Sequence, residues 1–229
     1  YRACPTAAQT GNWIFAQHSS STDYSSALTG PFGTFALALN TGTGVTSVTF
    51  PTSYTLNTGY GSVTNSSTMA GTCSSATATS SFGPMFLHSS GVGLLKTTGA
   101  EAYLMLPATA LTASTNLDGN YSGIGYDGYS AITFPFTAVA SGGTITGTYV
   151  STTDLTTSAG AGPIIAFTAI DTPSAGLVQA TATLAGVSSQ LACLVSTAPL
   201  GTTRKVIWCV GQSPSQASKP MNLFLVSQT

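Results

Sequence analysis

Few side chains in this sequence could do chemistry, and their spacing decides how each is read. The histidines are His18 and His88, the single glutamate is Glu101, and the aspartates include Asp23, Asp118 and Asp127. A nucleophile elbow needs G-x-S-x-G, which sets the serine on a sharp strand-to-helix turn. "GYSAI" at Gly128 and "GVSSQ" at Gly186 both lack the second glycine. A Ser-His-Asp site assembled in space from His18 or His88 with Asp23 requires no fixed spacing, because triads are defined by geometry. His88 instead alternates with apolar residues in "MFLHSS", the pattern of a histidine at a strand end that serves the fold. Asp118 and Asp127 share the stretch "LDGNYSGIGYDGYS", where two carboxylates could form a glycosidase acid/base pair or help to hold calcium. Both precede glycine, which is the chemistry of tight turns, and the Asp/Asn ladder of an EF-hand loop is missing. No catalytic, cofactor-binding or metal-binding residue is assigned on this basis, and no cofactor is expected.

The four cysteines, Cys4, Cys73, Cys193 and Cys209, contain no C-x-x-C spacing, so zinc ribbons and thioredoxin-like motifs lack support. Their even number favours two disulfides, although free thiols in a reducing compartment are the alternative. Cys193 and Cys209 flank "LVSTAPLGTTRKVIW", with Pro199 and Gly201 in its middle, so two strands joined by a turn would bring them together. Cys4 would then pair with Cys73 by elimination, one of about three connectivities open to four cysteines.

Charge is the unusual quantity. Asp, Glu, Lys and Arg make up 5% of the 229 residues, against about 25% in an ordinary soluble domain. Solubility therefore falls to Ser, Thr, Asn, Gln and Gly. With 42% hydrophobic residues and a formal net charge of -1, the chain is outside the disordered class and should fold. The basic residues Arg2, Lys96, Arg204, Lys205 and Lys219 are scattered, so they form neither the stripe that neutralises nucleic-acid phosphates nor a polybasic lipid patch. Neither nucleic acid nor direct membrane insertion is expected. The opening "YRACPTAAQ" has no basic and apolar leader pattern, so any signal is expected to have been removed. Runs such as "YLMLPA" at Tyr103 are too short for a spanning helix. For a membrane β-barrel, the apolar stretches are mostly short and the aromatics form no paired girdles. Cysteine usage and composition point to an extracellular or cell-surface protein.

The elements that must position these residues read as strands. "FGTFALALN" from Phe32 and "GVTSVTF" from Gly44 alternate with period two across "NTGTG", which makes a hairpin. "AITFPFTAVA", "GTITGTYV", "GPIIAFTAI", "LVQATATLAG", "SQLACLVS", "RKVIWCVG" and "MNLFLVSQ" follow, each bounded by Gly, Pro, Ser or Asp. Helical three-four periodicity is absent, so the class is all-β. An internal repeat organises these strands. Gly11-Asn12-Trp13 recurs as Gly119-Asn120-Tyr121, and each start is followed by a Pro-Phe strand, a Gly-rich turn and a Thr-alternating strand. Both halves also end on two apolar strands across a Gly/Ser loop. The expectation is two tandem antiparallel β-barrel or β-sandwich units, residues 1–112 and 113–229, joined at "ATALTASTNLDG". A single barrel or sandwich shared by both halves is the alternative.

The openings Gly11-Asn12-Trp13 and Gly119-Asn120-Tyr121, with "TITGTYV" at Thr144, resemble the calycin barrels, the lipocalins and avidins. That resemblance implies up-and-down barrels whose mouths could take a small ligand. No biotin contact carries over residue by residue.

Three functions follow. The first is a non-catalytic structural or adhesive surface protein that contacts other protein chains or a surface, with self-association favoured by edge strands that few charges guard. Tyr126 and Tyr129 in "GYDGYS" are its candidate contact residues. The second is a carrier of a small apolar ligand, and the third a hydrolase with an unrecognised site. Trp13 and Trp208, in apolar strands, read as core, while "NSS" at Asn65 and "NYS" at Asn120 fit N-glycosylation acceptors. The disulfide reading has a direct check. The intact chain, unreduced, should weigh four hydrogens less than the reduced chain, one for each of its 4 cysteines; alkylation of native thiols would contradict it.

Overall fold

Period-two patterning becomes strands almost throughout. The structure is a computed structural model that describes residues 11–16, 32–40, 45–49, 54–56, 60–63, 68–74, 77–80, 83–87, 93–96, 102–128, 132–150, 158–171, 175–197, 204–215 and 219–228. Cys4, His18, Asp23, Asn65, His88, Glu101 and Tyr129 lie outside these residues.

The first half supplies β1 (Gly11–Ala16), β2 (Phe32–Asn40), β3 (Val45–Thr49), β4 (Tyr54–Leu56), β5 (Tyr60–Val63), β6 (Thr68–Ser74), β7 (Thr77–Ser80), β8 (Gly83–Leu87), β9 (Gly93–Lys96) and β10 (Ala102–Pro107). Eight of these close into an antiparallel barrel in the order β1-β10-β9-β8-β7-β6-β3-β2, while β4 and β5 pair separately. The expected β2–β3 hairpin is there, with Asn40 opposite Val45. A closed antiparallel barrel is compatible with the calycin resemblance.

A short 3-10 helix, Ser114–Leu117, leads into the second half. There follow β11 (Gly119–Asp127), β12 (Ile132–Ser141), β13 (Thr144–Val150), β14 (Ser158–Ala161), β15 (Ile164–Ala169), β16 (Leu177–Leu184), β17 (Val187–Ser196), β18 (Val206–Gln212) and β19 (Pro220–Ser227). They form a nine-stranded sheet in the order β12-β11-β19-β18-β17-β16-β15-β13-β14, and β12 additionally pairs with β13. Cys193 and Cys209 face each other across β17 and β18 and are joined by a disulfide, as their spacing suggested.

Alternation sorts the second half's side chains onto two faces. Tyr121, Phe136, Ala138, Ile145, Ile165, Val178, Ala180, Leu191, Cys193, Ile207, Cys209, Leu223 and Leu225 gather in one buried cluster on the core face. The opposite face of β11, β12 and β13 is mostly polar, with Ser122, Thr137 and Thr146 exposed.

Strands β17 to β19 depart from that two-sided pattern. Every residue of β18 is buried, because a second cluster covers the outer face. There Leu177, Ala192, Leu194, Val206, Trp208 and Val210 pack with Ile14 and Leu106 of the first half. Trp208 stands edge-on to Phe224 at 5.5 Å. In β1 the alternation has the same consequence: Trp13 and Ile14, both buried, point to opposite sides, and Ile14 is the one committed to the joint. Gly176, with φ +80, lies so close that a Cβ there would come within 2.9 Å of Ala108 and 3.2 Å of Ile14.

The joining segment is bonded to both sides. Ala108 N donates to Asn12 O at 2.8 Å, and Thr109 N to Val195 O at 3.2 Å. Thr197 N donates to Thr109 Oγ1 at 2.9 Å. The Asp171 carboxylate accepts from Leu111 N at 2.7 Å and from Gly176 N at 2.9 Å.

Truncating a side chain in this joint should act like a core deletion. Leu194→Ala is expected to lower the unfolding free energy by about 2–5 kcal/mol in urea titrations. Thr146→Ala, on the exposed face, should stay within about 0.5 kcal/mol of the parent. Equal and small effects would mean that the joint contributes nothing.

Candidate functional site

The question for function is what the core face of the second half encloses. One end is closed by the 3-10 helix, whose Leu117 is fully buried in the core cluster. Tyr121 seals that end by donating its hydroxyl to Leu117 O at 2.7 Å. Burial, followed by the nearby Asp118 charge, holds the Tyr121 phenol well above its ordinary pKa, so it remains a donor at any physiological pH. Lys205 Nζ donates to Asp118 O at 2.8 Å, tying β18 to the start of β11. Arg204 donates to Ser227 O at 3.4 Å. The adjacent basic pair of the sequence thus serves strand ends.

Aromatic rings seated on bare backbone fill the space further in. A Cβ on Gly147 or Gly162 would collide with the Phe136 ring. One on Gly125 would sit 2.5 Å from Phe134 Cε2 and 3.0 Å from Leu223 Cδ1. The ring centroids of Phe134 and Tyr149 are 4.0 Å apart, and those of Phe136 and Tyr149 are 5.4 Å apart. Around them the Cys193–Cys209 disulfide, Leu191 and Leu223 are buried. Glycine thus alternates with large rings, and the rings take up the room that glycine leaves.

The carboxylates do not converge. Asp118 is the C-cap of the 3-10 helix, with extended backbone, and its Oδ1 accepts from Gly142 N at 2.9 Å, so it joins the start of β11 to the β12–β13 turn and does not itself sit in the tight hairpin turn that Asp-Gly suggested. Asp127 ends β11, opposite Ile132 and Met221. Asp118 directly precedes the nine-residue strand β11 and Asp127 is its last residue, which at about 3.4 Å per residue sets them roughly 30 Å apart. Glycosidase carboxylates stand about 5–9.5 Å apart, so this pair cannot serve one bond. Among the described residues no group of three or more His, Cys, Asp or Glu could hold a metal ion.

Tyr126 lies within β11, on the face opposite Tyr121, and is half-buried beside Asn222 and Thr133 in the register. The strand runs through it because Gly125 and Tyr126 pair on both sides. Its companion Tyr129, both histidines, and the Cys4 and Cys73 side chains are outside what the structure describes. Trp13 and Trp208 are both buried, as expected. Asn120 is exposed.

Sequence reasoning missed the Phe134–Phe136–Tyr149 cluster and the Asp171 clasp. The first had a signal in "TFPFTAV" facing "TGTY", where one strand offers rings and its neighbour glycine. The second had none, since the partners of Asp171 are backbone amides 60 and 5 residues away.

Comparison with known proteins adds no relative: no family model matches the chain, and neither a curated protein nor a solved structure matches it significantly.

Tyr149 yields a pH prediction. Burial, with the Asp127 charge second, pushes its phenol up from 10.0 to about 12. Below pH 10 both folded and unfolded chains keep the proton. Between 10 and 12 the unfolded chain loses it first, so the folded state binds more protons and stability falls as pH rises. The urea midpoint should therefore decline over this window more steeply in the parent than in Tyr149→Phe. Identical slopes would remove Tyr149 from the titration.

Proposed function

We propose that this chain is a non-catalytic extracellular or cell-surface protein with a structural or adhesive role, built from two tandem barrel units and acting through contacts with other protein chains or a surface. The observation that carries this reading is the filled core face of the second half, where Phe134, Phe136, Tyr149 and Tyr121 occupy the space a carried ligand would need. A carrier requires a concave, preformed apolar pocket.

Several features support the tandem organisation. Gly11 and Gly119 each open a first strand at positive φ, +138 and +149. Each is followed two residues later by a buried aromatic, Trp13 or Tyr121. That first strand pairs in each half with the second strand and with the last: β1 with β2 and β10, β11 with β12 and β19. Extra strands follow the third strand in both halves, β4 and β5 in one and β14 in the other. The β12–β13 pairing would bring the second ring back on itself.

The remaining surface suits contact. It carries hydroxyls and few charges, with Ile124, Val139, Ile164 and Val187 about half exposed among them. A disulfide fits a location outside the cytoplasm. Among the described residues no helix is long and apolar enough to cross a membrane.

Native mass spectrometry on protein purified from its source, with light scattering across concentration, tests the proposal. The expected result is a bare chain mass and larger species that grow with concentration. A reproducible added mass that is lost on denaturation would replace this reading with that of a carrier.

A further inference from the structure

We draw no further inference here: the strongest candidate, the uncharged apolar pair that Leu184 and Val187 present at the β16–β17 hairpin, is a surface for which nothing in the structure shows what covers it.

Discussion

The structure depends on one wall that is dry on both sides. An antiparallel sheet ordinarily turns one face to a core and the other to water, and its strands alternate accordingly. Strand β18 does not, because Ile207 and Cys209 face the second half's own core while Val206, Trp208 and Val210 face Ile14 and Leu106. The two halves therefore share apolar surface that neither could leave in water. The backbone bonds from Ala108 and Thr109, and those that Asp171 accepts, fix the joining segment against the same wall. With charged residues so scarce, apolar contact and hydrogen bonding must supply nearly all the specificity.

A second constraint follows from filling the core. Glycines at 125 and 147 are costly in a strand, since they lose more backbone entropy than other residues and pack nothing of their own, and Gly162 joins β14 to β15. Here they let the Phe134 and Phe136 rings approach the neighbouring backbone where a Cβ would collide with them. Among the described residues, the core face of the second half is thereby packed with rings and closed at one end by Leu117 and the Tyr121 hydroxyl. That is why contact, and not turnover or carriage, is the function proposed for it.

Much of the architecture was legible beforehand. Strand class, the β2–β3 hairpin and the Cys193–Cys209 pairing all rest on local signals: period two, Gly-rich turns, and a spacing that one hairpin can close. The dry wall was also written in the sequence. "LACLV" and "VIWCV" are continuous apolar runs, unlike the alternating "TITGTYV", and such runs belong to strands covered on both faces. Which surface does the covering was not legible, because the cluster that holds both Ile14 and Trp208 spans most of the chain and leaves no local trace. The small residues in the strands were equally ambiguous. Gly147 could have marked a pocket, and only the placement of Phe136 against it shows that the space is taken.

Hydrogen exchange along β18 tests the shared wall most directly. If β17 to β19 are buried on both sides, the amides of Val206 to Gln212 should exchange only through global unfolding. Those of Ile14 and Leu106 in the first half should lose protection at the same urea concentration. Exchange of the β18 amides through local opening, or loss of protection in one half well before the other, would contradict the claim that the two halves are held by one common core.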